Sequence, residues 1–306
     1  MRLSRFWLGA AGALAAAGVA YYFVNKDELD YYFRLYKAKR IADKFYAEYP
    51  HLTKNIPYCS TQRLDIYSPP GGSGHPVFVY IYGGSWNSGN KELYSLIADR
   101  LVPKGIVVVI PDYTLFPAAT YRQQTAEVAQ AIAWTLENVK QYGGDPRRVV
   151  VCAQSAGAHL AGLALFDERW LAATGHSVRE IAGFIAISGV LDVEGQMEFE
   201  RAVGHSTSLL LQEMEGESNL ASASPINYLR PGLPPTLLIH GDADMTVPIY
   251  TSDAFHDVLI ANGNKSRYLI YERGGHAEIL FEALADPRMR LVNDLVWFVK
   301  ACKPVS

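Results

Sequence analysis

One serine stands where a catalytic nucleophile would be exposed. Residues 149–157 read VVVCAQSAG, so an apolar β-branched run delivers Ser155 between small residues and a segment of helical pattern follows. This spacing is typical of a nucleophile elbow, a strained strand-to-helix turn that lifts a serine hydroxyl above a sheet. The usual elbow pattern is G-x-S-x-G, and Ala153 occupies the first glycine position here. The alternative interpretation is a strand followed by a helix whose N-cap is serine.

A serine hydroxyl becomes nucleophilic when a histidine removes its proton and a carboxylate orients that histidine. Both partners follow Ser155 in the order used by elbow-bearing hydrolases, first the acid and then the base. Asp242 and Asp244 lie in the loop after an apolar run at 236–240, and His276 lies in the loop after the next such run. We expect Asp244 to be the acid and Asp242 to be a turn residue.

Other histidines fit the role of base poorly. His159 lies one turn into the helix predicted after Ser155, and His240 ends a predicted strand. Both positions favour a packed or hydrogen-bonded histidine over a catalytic base.

The oxyanion of an acyl-transfer intermediate needs backbone N–H donors. Two glycines follow the apolar run at 77–82, in the position of the HGGG-type loop of esterases. The predicted donors are Gly83, Gly84, Ser85 and Ala156. The alternative is a plain turn. Asp112 and Gln154 are expected to steady the glycine loop without contacting the oxyanion themselves. The alternative for Asp112 is that it caps a turn.

These residues need a scaffold, and from residue 60 onward apolar β-rich runs alternate with helical patterns. Such alternation predicts the α/β class, with βαβ units and a largely parallel sheet that has helices on both faces. The predicted strands are 63–67, 77–82, 106–110, 149–153, 181–188, 236–240 and 267–271. The predicted helices are 92–102, 121–142, 156–166, 250–261 and 288–300. Loops at the carboxyl ends of parallel strands meet at one edge, so Ser155, an aspartate and His276 can converge there.

The predicted catalytic domain, residues 55–306, contains one segment that breaks the alternation. Residues 191–235 are rich in charged residues, methionine and leucine and show no strand pattern. We interpret them as a helical cap inserted over the site, since long insertions in compact folds are usually lids or binding elements.

The N-terminus carries a compartment signal. Arg2 and Arg5 precede an uncharged stretch at residues 6–24, about the length that crosses a bilayer. Residues 1–25 are therefore interpreted as a membrane anchor, with a cleaved signal peptide or a transit peptide as alternatives. Residues 26–54 are predicted to form an amphipathic linker helix that lies on the membrane surface or caps the domain.

Composition limits the class of ligand. The net charge is −3 with both signs dispersed, which argues against nucleic acid as a partner. The three cysteines, Cys59, Cys152 and Cys302, lie too far apart for a disulfide framework or a zinc site. We expect a small-molecule or lipid ligand, no metal and no cofactor.

The motifs together resemble the α/β-hydrolase family, and within it the isoprenylcysteine methylesterase branch of the carboxylesterases. The resemblance spans roughly residues 55–300 and includes RLDIY at 63–67, YGGSW at 82–86, PDY at 111–113, GGDPRR at 143–148, QSAGAHL at 154–160, ISGV at 187–190, HGDAD with VP at 240–248 and GGH at 274–276. Two residues depart from the family pattern. Ala153 replaces the elbow glycine, and Tyr82 stands where many esterases have histidine.

The resemblance implies a serine carboxylesterase of prenylcysteine methyl esters, anchored by one span in the endoplasmic reticulum or Golgi membrane. The alternatives are an amidase of the kynurenine formamidase type, a general lipid or short-chain esterase, a secreted enzyme, and a hydrolase-fold protein that binds without catalysis. Similar motifs occur in all of these classes, so the choice among them depends on the site.

Overall fold

The computed structural model describes residues 26–285 and 290–305, and one eight-stranded sheet forms its centre. The strands are β1 (Leu52–Pro57), β2 (Arg63–Tyr67), β3 (His75–Ile81), β4 (Val107–Pro111), β5 (Gly144–Gln154), β6 (Gly183–Ile187), β7 (Thr236–Gly241) and β8 (Ser266–Tyr271). Their order across the sheet is β1-β2-β4-β3-β5-β6-β7-β8. The pairs β1–β2 and β2–β4 are antiparallel and the others are parallel. The predicted α/β class and mostly parallel sheet are therefore confirmed.

Helices surround this sheet. They are α1 (Lys26–Glu48), α2 (Ser95–Leu101), α3 (Tyr121–Asn138), α4 (Ala156–Phe166), α5 (Glu168–Ala172), α6 (Val193–Ala202), α7 (Ser208–Glu213), α8 (Leu220–Ala223), α9 (Ile249–Ala261), α10 (Glu278–Ala285) and α11 (Arg290–Ala301). All five predicted helices are present, with α4 at its predicted bounds. The sequence patterns did not predict α5 or α10, which are short and lie against the body of the fold.

The central strands of the sheet are buried and apolar on both faces. Every residue of β4, β6 and β7 is buried, as is the run of three valines in β5. β-Branched side chains pack well on a pleated surface, and strands covered by helices on both sides read as continuous apolar runs. All seven predicted strands are present. Six of them start within two residues of the predicted position, and β5 begins five residues earlier, at Gly144.

The helix predicted over residues 26–54 is shorter than expected and ends at Glu48. Residues Leu52–Pro57 form β1 instead, an exposed edge strand with a bulge near Asn55, whose φ is +57°. Apolar and polar residues alternate too weakly in the sequence LTKNIP to predict a strand. The strand is stabilised by its pairing with β2. Helix α1 lies against the domain, since Ala38 and Ala42 are buried and the Phe45 ring stacks on Tyr67 at 5.7 Å between centroids.

The segment at 191–235 contains α6, α7 and α8 and no strand. It touches loops at the carboxyl edge of the sheet. The Gln196 side chain donates a hydrogen bond to the carbonyl of Thr246 at 2.9 Å, and the Tyr250 hydroxyl donates one to the carbonyl of Gly195 at 3.0 Å. Arg122 on α3 forms an ion pair with Glu215 at 2.8 Å. The segment therefore packs beside the loop that carries Asp244.

The proposed membrane anchor at residues 1–25 lies outside the described residues. Within residues 26–285 and 290–305, no helix combines the length and hydrophobicity that crossing a bilayer requires.

One carboxyl in the 191–235 segment is buried without a partner. Glu213, at the end of α7, is fully buried, and neither of its oxygens has a hydrogen-bond partner among the described residues. Burial raises the pKa of Glu213 to about 8, and the charge of Glu215 adds to the effect. A buried carboxyl of this kind stays protonated because its charged form has nothing to replace lost hydration.

The Glu213→Gln variant should be more stable than the wild type at alkaline pH. The folded pKa exceeds the ordinary value of 4.5, so the wild type loses stability as pH rises from about 4.5 to about 8. Glutamine resembles the protonated acid and removes this loss. Thermal unfolding should show a gap of several degrees near pH 8.5 that shrinks near pH 5. Glu198→Gln, on the exposed face of α6, is the control, and an equal gap at both pH values would contradict the assignment.

Candidate active site

Ser155 occupies a strained turn between a buried strand and a helix. β5 ends at Gln154 and α4 begins at Ala156, and Ser155 itself has φ 53° and ψ −127°. A positive φ is uncommon for a residue with a Cβ and costs of order 1–3 kcal/mol. The turn is held by the Ser155 N–H, which donates to the carbonyl of Ile187 at the end of β6. The helix N-cap interpretation does not apply, because the serine side chain forms no cap hydrogen bond.

Two glycines let the chain pass close to this turn. A Cβ on Gly157 would lie 2.3 Å from the carbonyl oxygen of Tyr82, and one on Gly83 would lie 2.8 Å from the Cβ of Ser155. Neither approach is possible for a larger residue without moving backbone. Ala153, in contrast, lies within β5, opposite Ile81 and Ala186, and its φ is not positive. The strain is therefore at Ser155, and the alanine fits an ordinary strand position.

The side chains of Ser155, His276 and Asp244 form one hydrogen-bonded chain. The Ser155 hydroxyl donates to Nε2 of His276 at 2.8 Å, and Nδ1 of His276 donates to Oδ2 of Asp244 at 2.8 Å. Aspartate is acceptor-only when ionised, so it fixes the imidazole tautomer that leaves Nε2 free to accept the serine proton. The three residues come from loops after β5, β7 and β8, and they converge at the predicted edge.

Asp244 is buried and ionised. Burial alone would raise the pKa of Asp244, but hydrogen bonds from His240 and His276 and the charge of His276 outweigh burial and hold that pKa well below its usual range. Its Oδ1 accepts the backbone N–H groups of Thr246 and Val247, each at 2.9 Å. A buried carboxylate is tolerated when its oxygens are fully hydrogen-bonded, and these contacts also fix the plane of the carboxylate.

Asp242 lies apart from this chain. Its side chain is exposed, and its Oδ1 accepts the backbone N–H of Arg273 at 2.5 Å. Asp242 therefore joins the loop after β7 to the loop after β8. The contact reaches across two loops rather than within one turn, which the expected turn role did not foresee.

The loop that follows β3 approaches the turn at Ser155 and contains three of the four predicted oxyanion donors. Gly83, Gly84 and Ser85 follow β3, with φ values of +126° at Gly84 and +49° at Ser85. In the described part of the chain, the N–H groups of Gly83, Gly84, Ser85 and Ala156 donate to no protein acceptor. Ala156 is the first residue of α4, where helical N–H groups have no internal partner. The N–H groups of the predicted oxyanion donors are therefore available. Of these residues, Ala156 adjoins Ser155 in the chain and Gly83 lies against its side chain, where an added Cβ would be 2.8 Å from the Cβ of Ser155.

Gln154 and Asp112 contact the loop that contains Gly83, Gly84 and Ser85. Gln154 is buried, and its Oε1 would be 2.3 Å from a Cβ on Gly83. Oδ1 of Asp112 accepts the hydroxyl of Tyr82 at 3.0 Å and the backbone N–H of Lys91 at 2.8 Å. Asp112 therefore ties together the two ends of the loop at 82–91. Tyr82 uses its hydroxyl for this contact, and its ring stacks on Tyr113 at 4.8 Å between centroids.

His159 is a structural residue, as the sequence predicted. Its Nδ1 accepts the indole N–H of Trp86 at 3.1 Å, and its Nε2 donates to the carbonyl of Ala223 at 2.8 Å. Burial lowers the pKa of His159 to about 4, so the ring is neutral near pH 7. This one ring connects the glycine loop, helix α4 and the segment that carries α8.

His240 is packed and hydrogen-bonded, as the sequence predicted, but its contact with Asp244 was not predicted. It is fully buried, and its Nε2 lies 3.0 Å from the carbonyl oxygen of Val247 and 3.2 Å from Oδ2 of Asp244. The available signal was its position four residues before Asp244, at the end of β7.

A serine held this way can attack a carbonyl carbon. The histidine accepts the hydroxyl proton, the aspartate stabilises the imidazolium, and the free amides can bind a developing oxyanion. Within the described residues, no group of three or more His, Cys, Asp or Glu side chains is arranged to hold a metal ion.

Gly157→Ala should lower the reactivity of Ser155 about 100-fold, whereas Ala153→Gly should keep it. The new Cβ at 157 must displace the carbonyls of Ile81 and Tyr82, and a displacement of about 1 Å near a reacting group costs about 100-fold in rate. Glycine at 153 should change the rate less than about threefold and destabilise the strand slightly. The measurement is the rate of labelling by a fluorophosphonate probe, together with thermal unfolding. Equal labelling of both variants would contradict the close approach.

The comparisons with known proteins agree with this fold. The BD-FAE family model matches residues 64–259. The isoprenylcysteine alpha-carbonyl methylesterase ICME of Arabidopsis thaliana is 32% identical over 253 residues, which cover 78% of this chain and 59% of that protein. Esterase LipQ of Mycobacterium tuberculosis is 29% identical over 262 residues, which cover 81% of this chain and 62% of that protein. The chain thus spans about six tenths of the length of these curated relatives.

The solved structures that resemble this chain show the same fold. An esterase from Pyrobaculum calidifontis superposes with a TM-score of 0.70 at 21% identity, covering 87% of this chain and 91% of that one. A truncated carbohydrate esterase from gut microbiota superposes with a TM-score of 0.68 at 21% identity, covering 82% of this chain and 96% of that one. These named relatives and neighbours are all esterases. The chain belongs to the BD-FAE family of α/β-hydrolases.

Proposed function

We propose that this protein is a serine carboxylesterase in which Ser155 is the nucleophile, His276 the general base and Asp244 the residue that orients it. The observation that carries the proposal is the hydrogen-bonded chain of these three side chains, with two contacts of 2.8 Å, at the carboxyl edge of the sheet. The relatives named as esterases support the same reaction class.

The first half of the reaction forms an acyl-enzyme. Oγ of Ser155 bonds to the ester carbonyl carbon while its proton passes to Nε2 of His276. The N–H groups of Gly83, Gly84 and Ala156 stabilise the oxyanion. The intermediate collapses, the C–O bond to the alcohol breaks, and His276 returns its proton to the departing alkoxide oxygen.

The second half releases the acid. A water molecule gives its proton to His276 and its oxygen to the acyl carbon, and the bond to Oγ of Ser155 breaks as that oxygen regains the proton. The water and the ester are consumed and an acid and an alcohol are formed, so no redox partner is required.

The proposed substrate is a prenylcysteine methyl ester. The support is the similarity to the isoprenylcysteine alpha-carbonyl methylesterase of Arabidopsis thaliana. Exposed apolar side chains beside the site fit a prenyl group, since Met245 directly follows Asp244 and is 69% exposed and Tyr250 is 47% exposed. Exposed apolar patches near a site often mark a contact with an apolar ligand.

The decisive experiment compares wild type with Ser155→Ala on prenylcysteine methyl esters, short-chain and long-chain esters, and formylkynurenine. We expect the wild type to have its highest kcat/KM on a prenylcysteine methyl ester and the alanine variant to lose at least about a thousandfold. Full esterase activity in the alanine variant would overturn the assignment of the nucleophile. Faster cleavage of formylkynurenine than of any ester would replace the esterase with an amidase.

Met245→Gln should weaken the binding of prenylated substrates selectively. Losing an apolar contact of this size should raise KM for the prenylcysteine methyl ester about five- to tenfold and leave KM for a short acetate ester unchanged. Ile260→Gln is the matched control, because Ile260 is 50% exposed at the end of α9 that leads to the opposite edge of the sheet. Equal effects of both variants on both substrates would exclude Met245 as a prenyl contact.

We also propose that residues 1–25 anchor the protein in the endoplasmic reticulum or Golgi membrane. The support is the uncharged stretch at 6–24 with arginines before it. Carbonate extraction of membranes from cells expressing the full chain should leave the protein in the pellet, and protease protection should show which side the domain faces. Release into the supernatant or the culture medium would favour a cleaved signal and a secreted protein.

A further inference from the structure

A second histidine lies against the carboxylate proposed to orient the catalytic base. His240, the penultimate residue of β7, has no exposed surface. One ring nitrogen, Nε2, lies 3.0 Å from the carbonyl oxygen of Val247 and 3.2 Å from Oδ2 of Asp244. The other, Nδ1, lies 2.7 Å from Oγ of Ser252 on α9. No step of the proposed mechanism uses this ring.

The partners of His240 fix its tautomer. A carbonyl oxygen and an ionised carboxylate only accept hydrogen bonds, so Nε2 must carry the ring proton. In the neutral ring, Nδ1 then accepts a hydrogen bond from the hydroxyl of Ser252. The Nε2–H is directed to Val247 and presents its positive end to Asp244 as well, in the manner of a bond shared between two acceptors.

This ring closes a small network around Asp244. The N–H of Val247 donates a hydrogen bond to Oδ1 of Asp244, and the carbonyl of Val247 accepts one from Nε2–H of His240. His240 therefore holds the turn that positions the carboxylate. Oδ2 lies against His276 at 2.8 Å and His240 at 3.2 Å. Among residues 26–285 and 290–305, the titratable groups that act on this carboxylate are His240 and His276.

A carboxylate that is stabilised by a second donor is a weaker base. It therefore holds the Nδ1 proton of His276 less tightly, and the imidazolium that forms during the reaction is less stabilised than it would be beside a carboxylate with one histidine partner. The same contacts prevent the carboxylate from rotating away. Loss of the second donor should make His276 easier to protonate and its orientation less fixed.

We propose that His240 is a positioning residue, which acts through Asp244 and Val247 to set the orientation and proton affinity of His276. The inference rests on the proposed function, since it assigns His240 a part in the same Ser155 chemistry. It requires that an N–H at the Nε2 position be retained, whereas a packing role would require only a side chain of similar size.

Two amide substitutions separate these roles. The amide nitrogen of His240→Gln can reach the Nε2 position and keep the contacts with Asp244 and Val247, but it loses Ser252. The shorter His240→Asn can keep the contact with Ser252 and has no atom at the Nε2 position. Both replace a buried ring by a smaller amide, so both should lower the unfolding temperature. His256→Asn is the control elsewhere in the fold, because Nδ1 of His256 lies 2.8 Å from Oγ of Ser266.

The rate of fluorophosphonate labelling and the kcat of ester hydrolysis are measured against pH, corrected for the fraction of folded protein. In His240→Asn, kcat should fall about tenfold, the scale of one lost hydrogen bond to a charged group. The acidic limb of its profile should move to higher pH by about half a unit. In His240→Gln the acidic limb of the pH profile should coincide with that of the wild type within error, and kcat should fall less than in His240→Asn. The control variant His256→Asn should have the same acidic limb as the wild type.

A spectroscopic readout keeps the test independent of the substrate. The low-field proton resonance of the imidazole N–H bonded to Asp244 is followed during a pH titration, and its midpoint should rise in His240→Asn but not in His240→Gln. If the asparagine and glutamine variants share one midpoint and one acidic limb, the proposal is overturned and His240 is a packing residue. If the wild type neither labels nor hydrolyses any ester, the proposed function fails, while the resonance still reports whether His240 acts on the Asp244–His276 pair.

Discussion

The structure depends on one close approach between two stretches of chain, the turn at Ser155 and the loop that follows β3. Gly83 lies against Gln154 and Ser155, and Gly157 lies against the carbonyls of Ile81 and Tyr82, at distances that leave no room for a Cβ. The positive φ of Ser155 is part of the same constraint, because only this turn lifts the hydroxyl above the sheet. The buried strands β3, β5 and β6 hold the turn in register, so the strain is supported by the most rigid part of the fold.

Electrostatics arrange the other half of the site around Asp244. Two backbone amides and two histidines approach its oxygens, and their hydrogen bonds offset the cost of burying the charge. The carboxylate is thereby fixed in one plane, and it fixes His276 in turn. A single exposed aspartate, such as Asp242, could not do this because water would compete for each contact.

Buried polar contacts connect these two halves to the rest of the domain. His159 joins the glycine loop at Trp86 to helix α4 and to Ala223 in the 191–235 segment, and Asp112 closes the glycine loop on itself. Helix α1 packs on the far side, where Phe45 stacks on Tyr67 of β2. Since each contact joins elements that are distant in sequence, the position of the proposed catalytic residues is a property of the whole fold.

The sequence by itself determined the α/β class, seven of the eight strands and the order of serine, acid and base, because buried strands need continuous apolar runs and elbow turns need small residues. It missed β1, whose polar sequence becomes a strand only by pairing with β2, and α10, which follows His276. The sequence also favoured Asp244 over Asp242 as the acid, and the hydrogen bond from His276 to Asp244 agrees with that choice. Only the tertiary structure decided that His240 reaches the same carboxylate. The reason is physical, since a hydrogen bond between side chains depends on where two loops meet and not on the residues within either loop.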